Sequence, residues 1–152
     1  MRTLARQRDK DELVGRLRAL RPDSVRRWGR MSVHQMICHL ADGFRMGTGE
    51  KPVRRVAGRL RGTTIKWVAL YLPVRWPRGF RTTAEIDQER LGTTPSDFAA
   101  DVAELEALLH LVTAQSRNFE WQSHPLFGSM SEAAWLRWGY LHVDHHLRQF
   151  GA

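Results

Sequence analysis

Apolar residues recur at helical spacing in four separate stretches of this chain, and no stretch alternates as a strand would. In the clearest stretch, which follows Thr94 and Pro95, the apolar side chains fall within about 80° of arc at 100° per residue. They are Phe98, Val102, Leu105, Leu109 and Val112. Helices with one apolar face bury it against one another. The sequence therefore predicts an all-α protein.

End signals place the four predicted helices along the chain. Pro22 closes the first, and Ser32 and Gln35 have capping-box spacing at the start of the second. Thr94 is the predicted cap of the third helix, and Ser131 that of the fourth. The predicted bounds are about 9–20, 32–46, 94–115 and 132–149.

The connection between the second and third helices is too long to be a structureless loop in a compact domain. Residues 53–72 are compatible with a further helix, although Gly58 and Gly62 weaken it and Pro73 stops it. A chain of 152 residues is the size of one ordinary domain. We therefore expect a single domain, 1–152, built as a four-helix bundle with one long, partly helical crossover.

The net charge of +8 is concentrated in this crossover, which we name the basic segment, residues 51–84. The segment contains nine basic residues and no acidic residue, and the rest of the chain sums to −1. The nine are Lys51, Arg54, Arg55, Arg59, Arg61, Lys66, Arg75, Arg78 and Arg81. The protein is thus an electrically ordinary domain that carries one basic insertion.

Three uses of the basic segment stay open. Its arginines alternate with Trp67, Tyr71, Trp76 and Phe80, a pattern that suits nucleic-acid binding or a membrane surface. The aromatic residues could instead simply pack over the bundle. A third use is a lid that narrows a pocket and attracts an anionic substrate. We favour the lid over nucleic-acid binding because no recognition motif accompanies the charge.

The single cysteine, Cys38, excludes an internal disulfide and a multi-thiolate metal site within one chain. On its helix it is expected to be a small buried hydrophobe. The first twenty residues lack an apolar stretch of signal-peptide type, and the longest apolar run, 67–74, is too short to span a membrane. We expect a cytoplasmic protein without a transmembrane segment.

Three of the seven histidines lie within H-V-D-H-H, residues 142–146. On a helix His142 and His146 are about 40° apart, the spacing by which one helix presents two imidazoles to a metal ion. Such a pair also arises in solvated or hydrogen-bonded form. His145 lies about 60° to the other side and is the candidate acid/base residue.

The apolar stripe of the fourth helix continues into these histidines. Trp135, Trp138 and Gln149 share the stripe and are the predicted lining of a substrate pocket. A substrate with an apolar body and one electrophilic or thiol-bearing end would fit such a lining. His124, in a turn before Pro125, either shapes the entry to this helix or overhangs the pocket.

The second helix offers two candidates for a third ligand, His34 and His39, about 140° apart. His39 borders the apolar arc and is the better candidate, whereas His34 is expected to be exposed or locally hydrogen-bonded. Three imidazoles from two helices would leave an open coordination position, as in catalytic sites. If a thiolate completes the coordination, zinc or nickel suits it.

Three segments resemble a known superfamily: W-G-R-M-S-V-H-Q-M-I-C-H-L at 28–40, H-P-L-F-G-S-M-S-E-A-A-W at 124–135 and H-V-D-H-H-L-R-Q-F-G at 142–151. They are similar to the DinB/YfiT-like metalloenzymes, and most similar to a branch of unknown function, DUF1569-like, that ends in H-H-L-R-Q-F-G. The resemblance covers both ends of the predicted bundle and does not extend to the basic segment.

The resemblance implies a four-helix bundle that holds one divalent metal ion through His39, His142 and His146. This agrees with the helical-face argument. Some relatives use the metal to activate a low-molecular-weight thiol, and others are hydrolases, so the resemblance implies a small-molecule substrate and, in the first case, a thiol co-substrate. A homodimer stays open as a further partner.

Overall fold

A computed structural model describes residues 1–55, 63–73, 75–79 and 82–152. These ranges contain five α-helices, a single 3-10 turn at Ala84–Ile86 and no strand, so the predicted all-α class is confirmed for them. No helix in these ranges combines the length and the apolarity needed to cross a bilayer. The helices are α1 (Gln7–Arg18), α2 (Val33–Thr48), α3 (Thr63–Tyr71), α4 (Phe98–Thr113) and α5 (Glu132–Gln149).

The capping box predicted at the start of α2 is present. Gln35 N donates to Ser32 Oγ at 3.1 Å, and Ser32 N donates to Gln35 Oε1 at 2.9 Å. Gly49 ends the helix in the left-handed region, with φ at +86°. Local sequence signals thus fix both ends of the helix that carries His39.

The predicted start of α4 at Thr94 is wrong by a full turn. Asp97 is the N-cap, because its carboxylate accepts from Ala100 N at 2.8 Å. Thr93 is held in the preceding loop, since its N and Oγ1 both donate to Asp42 of α2, at 2.8 and 2.6 Å. A contact between distant residues therefore overrides the Thr-Pro start signal. The first helix also ends earlier than predicted, at Arg18.

Four of the helices supply one main apolar core. α2 packs chiefly against α4 and α1 chiefly against α5. The side chains in this core that are fully inaccessible include Leu13, Leu17, Met36, Ile37, Leu40, Leu105, Leu109, Val112, Val143 and Leu147. This arrangement agrees with the helical faces that the sequence predicts, and it sets α2 beside α5, where the candidate ligands lie.

A second, smaller apolar cluster lies beneath α3, which packs on α5. Leu70 of α3 is fully buried there with Trp135 and Trp138. The further helix expected over 53–72 is present as α3, while residues 53–55 are not helical. The rest of that prediction, together with Arg59, Arg61, Phe80 and Arg81 of the basic segment, lies outside the described residues.

Candidate metal centre

The fold brings His39 of α2 together with His142 and His146 of α5. One nitrogen from each ring lies within 4.8 Å of the other two, and the ring centroids are 4.9 to 5.0 Å apart. His39 Nε2 and His142 Nε2 are 3.1 Å apart. Two nitrogens bound about 2.1 Å from a tetrahedral ion stand about 3.4 Å apart, so the observed spacing is close to that of a ligand set.

Hydrogen bonds fix the tautomer of two of these rings. His39 Nδ1 donates to the backbone oxygen of Ile86 at 2.7 Å, and His146 Nδ1 donates to Gln149 Oε1 at 2.9 Å. Because these oxygens can only accept, both protons are on Nδ1, which leaves a lone pair on each Nε2. This is the outer hydrogen bonding that metal-ligating histidines have.

His142 of α5 is the third member of the set, and it contacts His39 of α2. Its Nδ1 is buried and has no hydrogen-bond partner in the part of the chain that the structure describes. Its Nε2 faces the Nε2 lone pair of His39, a contact that needs a proton or a cation between the two nitrogens. The donor set of three imidazoles therefore fits a zinc-class ion.

Burial keeps the three imidazoles neutral. It lowers the pKa of His39, and it lowers the pKa of His142 and His146 further below the usual value, with neighbouring imidazoles adding to the shift of both. The side chains are only 4%, 7% and 9% exposed. Since a metal binds the neutral ring, the site is in its ligating form at neutral pH.

Asp42 holds the loop that carries the Ile86 carbonyl, and sequence reasoning missed it. Its carboxylate is fully buried and accepts from Gln88 Nε2 at 2.9 Å, from Thr93 at two atoms, and pairs with Lys51 at 3.0 Å. These contacts tie the loop after Ile86 to α2, one turn beyond His39. An acid within the apolar stretch of a helix was the available signal, because a buried carboxylate needs partners.

Only part of the predicted pocket lining lies beside the histidines. The Trp138 ring is 4.6 Å from that of His142, whereas Trp135 packs behind Trp138 and stacks on Trp121, at 5.2 and 5.1 Å. Gln149 Oε1 accepts from His146 Nδ1, and its Nε2 donates to Trp28 O at 2.8 Å.

His145 lies beside the ligand set and next to Trp28 and to Trp76 of the basic segment. Its ring is 5.2 Å from that of His146 and 6.1 Å from both Trp28 and Trp76. Burial lowers the pKa of His145, and the charge of Arg148 adds to this. A neutral imidazole at this place can accept a proton near neutral pH.

The described part of the basic segment covers the centre. Trp76 lies 6.3 Å from the His142 ring, and its Nε1 donates to Ala69 O of α3 at 2.8 Å. The Arg78 guanidinium lies 4.4 Å from the centre of the Trp28 ring. In the described residues, aromatic and basic side chains thus lie over this side of the three histidines.

Comparison with known proteins agrees with the terminal signature. The chain matches, over residues 2–152, the family described as "Protein of unknown function (DUF1569)". The chain belongs to the DUF1569 family. No curated protein and no solved structure matches it. The DUF1569 branch of the predicted resemblance is thus confirmed, while membership of the DinB/YfiT superfamily stays a prediction.

In this DUF1569 protein, His124 serves the turn before α5. Its Nδ1 accepts from Leu126 N and Phe127 N, both at 3.2 Å, and its ring stacks on Phe127 at 4.6 Å. Burial lowers the pKa of His124 to about 3. Its ring also lies 5.2 Å from that of Trp138, so it supports the aromatic wall from behind.

His34 and Cys38 lie away from the three-histidine set, as the helical faces of α2 predict. His34 Nε2 is 2.6 Å from Asp101 Oδ2 and is therefore locally satisfied. Cys38 is 2% exposed, and burial together with the nearby Asp101 raises its pKa to about 12. The buried cysteine expected from the sequence is confirmed in this DUF1569 chain.

Proposed function

We propose that this protein is a metal-dependent enzyme that binds one divalent ion, zinc or nickel, through His39, His142 and His146. The observation that carries the proposal is the convergence of three buried neutral imidazoles, two of them protonated on Nδ1 so that each Nε2 has a lone pair. Three protein ligands leave one coordination position open, which is typical of catalytic sites. On this proposal the main core is that of a DinB/YfiT-type four-helix bundle in one domain.

When bound, the ion supplies Lewis acidity that makes a nucleophile available at neutral pH. Two reactions suit the site: hydrolysis, and transfer of sulfur from a low-molecular-weight thiol co-substrate. His145 is the residue that takes up or returns the proton. Trp138 and Trp76 line the approach with apolar surface, so the substrate is a small molecule with an apolar body.

The basic segment acts as the lid of this site. Trp76 lies beside the centre, and the exposed Arg75 and Arg78 are close to it in the sequence, with the Arg78 guanidinium over Trp28. Substrate entry requires this cover to move, and the arginines favour a substrate with an anionic group.

Metal analysis tests the binding step. Protein purified without added metal should contain about one divalent ion per chain, and the variant with all three ligands changed to alanine should contain almost none. His110→Ala is the matched control, because His110 is an exposed histidine of α4. A triple variant that keeps full stoichiometric metal would remove the site assignment.

The reaction is tested with two substrate panels on metal-loaded protein. Activated aryl esters report hydrolysis, and a low-molecular-weight thiol with an apolar electrophile reports sulfur transfer through loss of free thiol. If the metal-loaded protein turns over the substrates of one panel, the metal-free protein and His145→Ala should both turn them over more slowly. Equal turnover with and without metal on both panels would contradict a metal-dependent enzyme.

A second candidate function is attachment to an anionic membrane surface through the basic segment. Trp67 and Tyr71 share one face of α3 and are 55% and 40% exposed, and Val68 beside them is 37% exposed. Exposed aromatic side chains among arginines suit a lipid interface, where the rings lie at headgroup depth.

Vesicle flotation tests this second candidate. Binding to vesicles that contain anionic lipid, and not to zwitterionic ones, should be lost in W67A/Y71A and kept in L111A, a control that changes an exposed leucine of α4. Absence of flotation at low salt would exclude it. Tight binding to duplex DNA or RNA at physiological salt, abolished by changing Arg54, Arg55, Arg59 and Arg61 to glutamine, would favour nucleic acid instead.

A further inference from the structure

A second cluster of metal-ligating side chains lies between α2 and α4. His34 and Cys38 are one turn apart on α2, and Asp101 is in the first turn of α4. Asp101 Oδ2 is 2.6 Å from His34 Nε2 and 3.6 Å from Cys38 Sγ. One ligand atom from each residue lies within 4.8 Å of the other two.

The surroundings hold these three side chains in place. Ser96 donates to the Asp101 carboxylate from its N at 3.0 Å and from its Oγ at 3.4 Å. The His34 ring lies edge-on to Phe98, with centroids 5.3 Å apart. Cys38 is buried, but the side chains of His34 and Asp101 are 22% and 12% exposed, so the cluster can be reached from solvent.

We propose that His34 Nε2, Cys38 Sγ and Asp101 Oδ2 bind a second divalent ion of the zinc class. A thiolate, an imidazole and a carboxylate are the ligand types that zinc takes in proteins, and three of them leave one position for water. Binding replaces the hydrogen bond between His34 and Asp101. The proton on His34 Nε2 leaves that nitrogen, so the ligating ring is the neutral tautomer protonated on Nδ1, and the thiol proton of Cys38 is released to solvent.

The change in geometry that this requires is small. Ligand atoms of a tetrahedral zinc ion stand about 3.4 Å apart, so the imidazole of His34 has to move outward by less than about 1 Å from Asp101. Its partly exposed side chain has room to do so. The ion would join α2 to α4 on a face of α2 about 100° to 140° from His39, and it is independent of the three-histidine centre.

Cobalt(II) titration of the full-length protein separates the two centres, because only a thiolate ligand gives intense near-ultraviolet charge-transfer absorption. We expect two equivalents of Co²⁺ to bind, one of them with this absorption. C38S should lose the absorption and one equivalent, whereas H142A should lose the other equivalent and keep the absorption. D101N preserves the shape of the carboxylate. It should lower the Co²⁺ affinity of the thiolate site, measured from the charge-transfer band, at least tenfold.

Either of two results would overturn the second site: no charge-transfer absorption at saturating Co²⁺, or a single equivalent that H142A abolishes. Both results would leave the three-histidine proposal intact. The three-histidine proposal would instead be contradicted if the protein bound a single equivalent of Co²⁺ that C38S removes and H142A does not. If C38S does not fold, as judged by its thermal transition, H34A supplies the same comparison with the thiol still present.

Discussion

Gly43 of α2 lies directly against His142 of α5. A Cβ at Gly43 would come within 3.2 Å of the imidazole Cε1, 3.3 Å of its Nδ1 and 3.2 Å of Cη2 of Trp138. One turn later, a Cβ at Gly47 would lie 3.1 Å from the rings of Trp121 and Trp135. Two glycines at helical spacing thus let the aromatic face of α5 approach the backbone of α2.

We predict that Gly43→Ala weakens metal binding without a large loss of stability. Alanine gains about 1 kcal/mol over glycine in a helix interior, but here the imidazole of His142 must shift by a few tenths of an ångström. Competition with a chromophoric chelator should report an affinity about tenfold lower. Gly15→Ala is the control, since no described atom lies within 4 Å of that position, and it should leave the affinity unchanged. Equal affinity in both variants would show that His142 tolerates the shift.

Gln149→Met should lower metal affinity about 10- to 100-fold, the range found when an outer hydrogen bond to a ligating histidine is removed. The variant keeps the side-chain volume but leaves His146 Nδ1 without its acceptor and Trp28 O without its donor. Chelator competition measures the loss. Gln122→Met, at an exposed glutamine, should have no effect. An unchanged affinity in Gln149→Met would mean that His146 needs no fixed tautomer.

His145→Ala and His142→Ala should differ in metal content. His142 is a proposed ligand, so its loss should empty the three-histidine centre, whereas His145 lies beside that centre and its loss should leave the ion bound. Metal analysis after identical purification makes the comparison. On a substrate that the wild-type protein turns over, His145→Ala should react more slowly than the wild type although it keeps the ion. Loss of the ion from His145→Ala, or full activity in it, would remove His145 from the proposed mechanism.

His124 should make the fold sensitive to acid. Its pKa is about 3 in the folded protein and about 6.5 when unfolded, so the unfolded state binds the proton more tightly. The stabilising contribution of neutral His124 is fully present above pH 6.5. The free energy of unfolding falls by about 1.4 kcal/mol per pH unit as the pH drops from 6.5 toward 3. His124→Asn keeps an acceptor for the two backbone donors and removes the titration.

Chemical denaturation between pH 7.5 and 4.5 measures this difference. The variant should lose stability less steeply than the wild type, by about 1 kcal/mol per pH unit, because the other buried histidines titrate in both proteins. His110→Asn, at an exposed histidine, should follow the wild-type slope. Parallel curves for His124→Asn and the wild type would contradict a buried neutral His124.

The sequence by itself determined the helices and the candidate ligand set. Helix faces and caps depend on residues three or four positions apart, so the Ser32 capping box and the shared face of His142 and His146 could be recognised without coordinates. The choice of His39 over His34 followed from the same geometry, because only His39 borders the apolar arc of α2.

The tertiary structure decided what surrounds those ligands. The Ile86 carbonyl that orients His39 is 47 residues away in the chain, and the Asp42 contact to Thr93 that moves the start of α4 spans 51. The hydrogen bond of Gln149 to His146, one turn before it on α5, is local, whereas its second contact, Trp28 O, is 121 residues away in the chain. Hydrogen bonds between distant segments form only where helix packing brings donor and acceptor within about 3 Å, and no local spacing in the sequence encodes that approach.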